Sequence, residues 1–452
     1  MIQRVLIANR GEIAVRIIRA CRELNLSTVA VYSNKDKDSL HVMLADEAVC
    51  IGDHRLENSY LNQNAIIQAA INTKCHAIHP GYGFLSENED FARACEAVGI
   101  EFIGPKSETI ALMGNKQRAR ETMIQAGVPT VPGSKGLIDN EQEAIEVASV
   151  IGYPVLIKAS LGGGGKGMRV AYHESELALA FQQATMEASH AFGSGDVYLE
   201  KFVEKPRHIE VQILGDKFGN VVHLFERECS VQRNNQKMIE EAPVKNLSES
   251  TRLKLYDAAL KAASYIQYES LGTLEFIMDM DENFYFIEMN TRLQVEHPIT
   301  EMITGIDLVK QQLLVASYKR LQFNQNDIQK QGHAIEMRIT SENPYENFLP
   351  NSGVITGLHF PGGYGVRVDS FIYSGYEILP FYDSMIAKII VYDKTRDEAL
   401  EKAIRCLEEV DIEGVITNVE FLLEVLLHED FLDLEYDTSL VSTILEKRRV
   451  LC

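Results

Sequence analysis

Residues 4–33 read RVLIANRGEIAVRIIRACRELNLSTVAVYS. The aliphatic run RVLIA is followed by GEIAVRIIRACREL, whose apolar positions recur at helical spacing, and then by the β-branched run STVAVYS. Strand, helix, strand is the repeating unit of a parallel sheet, because parallel neighbours need a crossover segment where antiparallel ones need only a turn. The pattern continues through a helix around YLNQNAIIQAAINT, the strand CHAIHP, the glycine turn GYGF and the helix NEDFARACEAVG. A doubly wound α/β unit is therefore predicted as far as about Gly104. Its first turn, Asn9-Arg10-Gly11-Glu12, lacks the G-x-G-x-x-G that lets backbone approach a pyrophosphate, so this unit is not expected to hold a nucleotide.

After the helix containing Lys116, GVPTVPGSKG marks a hinge at Pro129, Pro132, Gly133 and Gly136. A second unit runs to about Val203, with the strand PVLIKAS, the loop LGGGGKG, the strand MRVAY, a helix from Glu174 and the strand VYLEKFV. The remainder reads as a larger α+β body. The chain has 452 residues. Single cores stop growing at roughly 250–300 residues, so roughly two to four domains are expected.

With 44 Lys plus Arg against 65 Asp plus Glu, the formal charge is −21, which argues against nucleic acid or an anionic membrane as partner. No apolar run approaches the ~20 residues of a membrane span, and MIQRVLIANRG does not read as a signal peptide. The cysteines stand singly, with no CxxC, as expected of reduced thiols in a soluble, cytoplasmic protein.

The run Gly162 to Gly165, Lys166, Gly167 satisfies G-x-G-x-x-G only trivially, because it has strands rather than a strand and a helix on its two sides. It also departs from the P-loop, with Ser160 at the first glycine position and Gly167 at the Ser/Thr position. Four glycines between two strands read as a flap whose bare N–H groups can close over phosphates, or as a plain hairpin tip. Lys158 leads into it.

The stretch from Leu271 to Pro298 is LGTLEFIMDMDENFYFIEMNTRLQVEHP. TLEFIMD and FYFIEMN form a predicted hairpin. A two-residue loop at Asp281 and Glu282 makes Glu275 and Glu288 direct cross-strand partners, with Cβ atoms ~4.5–5.5 Å apart. Adjacent carboxylates repel unless neutralised, as by a divalent cation, although a solvated acidic face is the plainer alternative. Continued alternation puts Glu288, Asn290, Arg292, Gln294 and Glu296 on one strand face, in the order suited to an anion site with a nearby base. Elsewhere, ERECSVQRNNQKMIEEAP reads as a mixed-charge surface or as a source of cations (Arg227, Arg233, Lys237), and PRHIEVQIL places His208, Glu210 and Gln212 on one strand face.

Several of these stretches, in order, resemble the biotin carboxylases of the ATP-grasp superfamily: IANRGEIA, HPGYGFLSEN, the GGGGKGMR loop, PRHIEVQ, CSVQR, EEAP, FIEMNTRLQVEHP and YDSMIAK. The resemblance implies an N-terminal doubly wound domain at 1–114, a helical linker at 115–130, an ATP-grasp lid at 131–203 and a C-terminal α+β catalytic domain at 204–452. It implies ATP contacts at Lys116, Lys158, Gly164, Gly165, Glu200, Lys201, Phe202, Val203 and His208, and magnesium or manganese on Glu275, Glu288 and Asn290. Bicarbonate is implied at Lys237, Arg292, Gln294, Val295 and Glu296, and biotin at Arg338 and Tyr82. Glu296, Arg292, Lys237 and Arg338 are the implied catalytic residues, with Glu296 as general base on the way to carboxyphosphate and Arg338 stabilising the biotin enolate.

Two departures from the family stand out: Asn234 and Asn235 replace a basic pair, and Leu161 replaces a glycine. No Ala-Met-Lys-Met biotinylation context occurs, so separate biotin carboxyl carrier and carboxyltransferase chains are expected, together with a homodimer. The pathway implied is acetyl-CoA carboxylation in fatty-acid synthesis, or a related carboxylase. The competing readings are another acyl-phosphate-forming ATP-grasp ligase and a nucleotide-binding module without turnover.

Overall fold

The computed structural model describes residues 2–159, 167–192 and 194–451. Two compact units are present: Met1–Val128 with Arg207–Phe276 and Glu288–Cys452, and Pro129–Pro206 with Ile277–Ile287.

In the first unit, β1 (Arg4–Ile7), β2 (Ser27–Ser33), β3 (Glu47–Gly52), β4 (Ala77–His79) and β5 (Glu101–Phe102) form an all-parallel sheet in the order β3-β2-β1-β4-β5. Val5, Leu6, Ile7, Val29 and Val31 have no exposed surface, as in a sheet covered on both faces. Helix α1 (Gly11–Glu23) follows β1, and its glycine starts it at φ +69°. At the carboxyl ends of β1 and β4, Asn9 Nδ2 donates to the carbonyls of Pro80 (2.7 Å) and Tyr82 (2.8 Å). Arg10 is buried in a two-pronged ion pair with Asp36 at 2.7 and 2.8 Å. This crevice, where doubly wound sheets hold nucleotides, is bridged by the protein's own side chains, in keeping with the missing glycine fingerprint.

The second unit is a three-stranded antiparallel sheet of β6 (Val155–Ala159), β7 (Met168–Ala171) and β8 (Val197–Lys201) in the order β7-β6-β8. Helices Glu141–Ile151 and Glu174–Phe192 belong to the same unit, and Ala144, Ala148, Leu177 and Phe181 join Val155, Ile157, Val197 and Leu199 in its core. Lys158 pairs with Met168, so the glycine run lies between the two strands of a hairpin. Gly164 and Gly165, with Leu161 and Lys166, fall outside the described residues.

The large sheet contains β9 (Arg207–Gly215), β10 (Val221–Arg233), β11 (Gln236–Ala242), β12 (Ser270–Met278), β13 (Phe284–Asn290) and β14 (His333–Thr340). Its order is β13-β12-β9-β10-β11-β14, followed by the strands Met385–Asp393 and Val366–Ser370. From β9 through β10, β11 and β14 to these last two strands each pairing is antiparallel, and the register sets Glu210 against Arg227, Gln232 against Lys237 and Arg338 against Lys388. β9 and β10 are buried along most of their length, so alternate residues cannot simply divide into core and solvent. The mixed-charge stretch is correspondingly interior rather than surface: Arg227, Glu228, Glu240 and Glu241 are all buried.

The turn between β12 and β13 differs from expectation. The Asp279 N–H donates to the Asn283 carbonyl (3.0 Å) and the Glu282 N–H to that of Asp279 (3.1 Å), so the loop is Met280 to Glu282, one residue longer than expected. Glu282 takes the left-handed conformation, φ +61°, that ends such a loop. The register at the turn is therefore one residue away from pairing Glu275 directly with Glu288.

The described cysteines are unbridged, and each except Cys50 is buried. Among the described residues no helix is long and apolar enough to cross a membrane.

Candidate active site

The site begins with an arginine that has no access to water. Arg227 on β10 lies across from Glu210 on β9 and donates to Glu210 Oε2 through Nε (3.2 Å) and Nη2 (3.0 Å). Its remaining donors reach Gln212 (2.7 Å), Thr300 (3.1 Å), Thr273 (3.2 Å) and the Gln294 side-chain oxygen. A guanidinium so fully engaged fixes three strands and the segment after β13 against one another.

Next to it on β11, the Lys237 ammonium bonds Glu210, Glu275 at 3.2 Å and Glu296 at 2.7 Å. Burial works against its charge, and the three carboxylates more than offset this, keeping it protonated well above the ordinary lysine range. Lys237 is thus a fixed cation and not a base.

Glu275 on β12 accepts at Oε1 from Lys237, from Asn290 Nδ2 (2.8 Å) and from Gln294 Nε2 (2.7 Å), while His208 Nε2 lies 3.0 Å from Oε2. Burial alone would hold its proton on, but Lys237 and His208 hold it well below the usual carboxylate range. Glu288 behaves in the opposite way. Burial, then the charge of Glu275, raise its pKa, against a smaller opposing effect of Lys116 at the start of helix Lys116–Gln125. The two glutamates therefore sense each other despite the one-residue offset at the turn.

After Asn290 the expected strand face does not continue. Residues 291–296 are irregular, Leu293 and Gln294 are both buried, and Glu296 is the N-cap residue of helix His297–Thr304. Pro298 at the start of that helix favours a helical entry over an extended chain. The compact loop nevertheless brings the expected groups together. Arg292 reaches Glu87 Oε2 (2.7 Å) and the Asn290 side-chain oxygen (2.5 Å), and Glu296 lies between Lys237 and Arg338 Nη2, the latter at 2.8 Å. Burial opposes the charge of Glu296, as does Glu210, but Lys237, Arg338 and Arg227 outweigh them and its pKa is lowered. Arg338 also donates through Nε to Glu240 (2.6 Å).

In the second unit, Lys158 Nζ donates to Glu200 Oε2 at 2.7 Å, so two residues expected to face a nucleotide hold each other. Lys201 Nζ is tied to the carbonyls of Gly152 (3.1 Å) and Tyr153 (2.6 Å), Phe202 meets Tyr172 edge-on, and Val203 is buried. Tyr82 follows Gly81, and among the described residues its buried hydroxyl has no hydrogen-bond partner.

Comparison with known proteins gives one answer along the chain. Residues 1–110 match the model of the biotin carboxylase N-terminal domain, 115–324 that of the carbamoyl-phosphate synthase L chain ATP-binding domain, and 336–443 that of the biotin carboxylase C-terminal domain. Biotin carboxylase 1 of Bacillus subtilis is 55% identical over 444 residues, covering 98% of this chain and 99% of the relative. The biotin carboxylase of a Nostoc species is 52% identical over 438 residues, covering 97% and 98%. The crystal structure of the biotin carboxylase domain dimer of Hydrogenobacter thermophilus 2-oxoglutarate carboxylase, in complex with MgADP, ADP and bicarbonate, superposes with a TM-score of 0.90 at 50% identity, covering 98% of both chains.

This chain belongs to the biotin carboxylase family. Biotin carboxylases are ATP-dependent ligases of the ATP-grasp superfamily, and the mixed architecture of a parallel N-terminal sheet and a large antiparallel sheet is theirs. As a biotin carboxylase, the chain must manage a nucleotide with its divalent cation. Glu275, held ionised, accepts from the Asn290 amide, whose oxygen in turn accepts from Arg292, and Glu288 feels the charge of Glu275; carboxylate and amide oxygens of this kind are what a hard cation takes.

Several members of this biotin carboxylase site are not legible in the residues alone. Nothing in the residues alone marks Glu87, Glu240 or the interior position of Arg227: Glu87 lies within the stretch HPGYGFLSEN, and Arg227 and Glu240 lie within one whose mixed charge reads as surface or as a source of cations. The Asn234-Asn235 departure has a local reason. Arg233 pairs with Gln236, and the two asparagines make the turn with φ +49° and +65°, a conformation asparagine tolerates better than most residues.

Proposed function

We propose that this chain carboxylates biotin carried on a separate protein, using MgATP and bicarbonate and giving carboxybiotin, ADP and phosphate. The observation that carries the reading is Glu296 held between Lys237 at 2.7 Å and Arg338 at 2.8 Å. Its low pKa keeps it ionised, as a base for bicarbonate must be, and the flanking cations suit two successive anions, bicarbonate and the biotin enolate.

Bicarbonate bound by Lys237, Arg292, the Gln294–Val295 segment and Glu296 gives its proton to Glu296, and its oxygen attacks the γ-phosphorus while the bond to ADP breaks. Carboxyphosphate then divides into carbon dioxide and phosphate. The phosphate takes the ureido proton of biotin, and the nitrogen attacks carbon dioxide while Arg338 stabilises the developing oxyanion. Glu275, Glu288 and Asn290 would hold magnesium, or manganese, which would offset charge on the phosphates. Lys116, Lys158, His208 and the segment from Glu200 to Val203, with the loop at Gly164 and Gly165, contact the nucleotide. Tyr82 lines the biotin entrance.

The chain works as the component of an acetyl-CoA carboxylase or a related carboxylase, in the cytoplasm and as a homodimer. The H. thermophilus domain is a dimer, and relatives at about this level of identity include pyruvate and 2-oxoglutarate carboxylase components. All would share this half-reaction, so the carboxyltransferase partner selects the acceptor. A phosphate-release assay with MgATP tests the reading. Bicarbonate-dependent hydrolysis accelerated by free biotin is expected. Hydrolysis indifferent to biotin would favour another acyl-phosphate ligase, no release at all a module without turnover, and covalent biotin on the isolated chain would refute the separate carrier.

A further inference from the structure

Two stretches that mark the family, IANRGEIA and YDSMIAK, each supply a charged residue to which the chemistry above gives no role: Glu12 and Lys388. In the fold they meet. Lys388 Nζ lies 3.3 Å from Glu12 Oε1, with the lysine side chain wholly buried and the glutamate 2% exposed. Lys388 also sits directly across from Arg338 on one neighbouring strand and from Asp369 on the other, so the three side chains share one face of the sheet. Burial disfavours its charge, and Glu12, Glu336 and Asp369 together more than offset that, while the same burial pushes the Glu12 carboxyl up to about 7 and that of Glu336 well above the usual carboxylate range.

Among the described residues, the Glu12 and Glu336 carboxylate oxygens have no aligned hydrogen-bond donor. Lys388 gives its own directed bond, at 2.7 Å, to the carbonyl of Val295. A buried ammonium is costly, and an apolar side chain of similar length would fill the same space more cheaply if packing alone were required. What an apolar chain lacks is the grip on that carbonyl.

The grip matters because a peptide unit is planar and trans, so fixing a carbonyl fixes the N–H on its far side. The Gln294 carbonyl accepts from His297 Nδ1 at 2.8 Å, and the buried His297 is held neutral by burial and by Lys388, Arg16 and Arg367. The two peptide units flanking Val295 are thus each pinned by a buried side chain, one by His297 and one by Lys388. We propose that Lys388, seated beside Glu12, is a positioning residue for the bicarbonate site, orienting the Val295–Glu296 peptide so that Glu296 enters between Lys237 and Arg338. The inference rests on reading residues 292–296 as the bicarbonate grip.

The test uses the full chain with Lys388→Met, measuring the bicarbonate KM by phosphate release and the MgADP Kd by calorimetry, beside Arg292→Ala as reference. A bicarbonate KM raised ~10-fold in Lys388→Met, with the MgADP Kd unchanged, is expected, because a displaced loop loses ground-state binding of the small anion alone. Unchanged bicarbonate KM, or a parallel weakening of both ligands, would overturn the role. If Lys388→Met is insoluble, the same split is read on Lys388→Met with Glu12→Gln, which removes both members of the buried pair. A normal bicarbonate KM in Arg292→Ala would remove the underlying site reading and the inference with it, whereas a raised one beside an unaffected Lys388 variant removes the inference alone.

Discussion

Glu296 Oε2 and Arg338 Nη2 are 2.8 Å apart, joining residues 42 positions distant in the chain. One residue is the base proposed for bicarbonate, and the other is the cation proposed for the biotin enolate. With those roles, their contact would put the two halves of the reaction within one hydrogen-bonded group, each negative charge forming beside a cation already in position.

Glu296→Gln keeps the shape and removes the basic site. Bicarbonate-dependent phosphate release should fall ~10²–10⁴-fold, the range of general-base catalysis, with MgADP affinity retained. Turnover within a few-fold of the parent would remove the base assignment.

Arg338→Ala should retain nucleotide binding and lose ~10²–10³-fold in carboxybiotin formation, the range seen when one donor to a developing oxyanion is lost. The readout is labelled bicarbonate transferred to free biotin, and an unchanged rate would sink the role.

Glu288→Lys places a cation where the donor set needs a carboxylate. Metal-dependent ATP cleavage should fall by at least ~10²-fold at any magnesium concentration, and restored turnover at high magnesium would count against these ligands.

Away from the site, Glu241 is buried and bonded to His333 (2.8 Å), Arg396 (2.7 and 3.1 Å) and Tyr436 (2.9 Å). Burial opposes its charge, but the bonds to His333 and Arg396 pull its pKa down to about 2. A carboxyl with a depressed folded-state pKa stabilises above its unfolded value, and that stability is lost as pH falls through about 2. Glu241→Gln should therefore cost about 3 kcal/mol near neutral pH and flatten the acid limb between pH ~4.5 and ~2, as followed by urea midpoints. A mutant curve parallel to the parent's would show that the carboxyl does not titrate this way.

Gly81 takes φ +66°, and a Cβ there would lie 2.8 Å from Asn9 Nδ2. Gly81→Ala should lower stability by ~1–3 kcal/mol by thermal melting, and an unchanged Tm would mean that Asn9 yields without consequence.

The half-exposed β3 and the two-residue β5 carried no strand signal of their own, but the strands RVLIA, STVAVYS and CHAIHP were legible from the alternation of strand and amphipathic helix. So was the hairpin carrying Glu275 and Glu288, although a left-handed Glu282 lengthened its loop. The run from Asn290 to Glu296 reads as strand in the sequence because its polar residues alternate by chance of spacing, while in the fold Pro298 and the cap at Glu296 begin a helix. Arg227 and Glu240 read as surface because charge in a sequence ordinarily means water, and only the partners show otherwise.

What the sequence determined by itself is the order of elements and the chemical inventory: periodicity is local, and residue type fixes which groups can donate, accept or carry charge. Tertiary structure decided which charges meet. Lys237 takes partners 27, 38 and 59 positions away, and three strands and a loop must close before they become neighbours. Electrostatic interactions that set protonation act over a few ångströms in a water-poor interior, and separation along the chain carries no information about that distance.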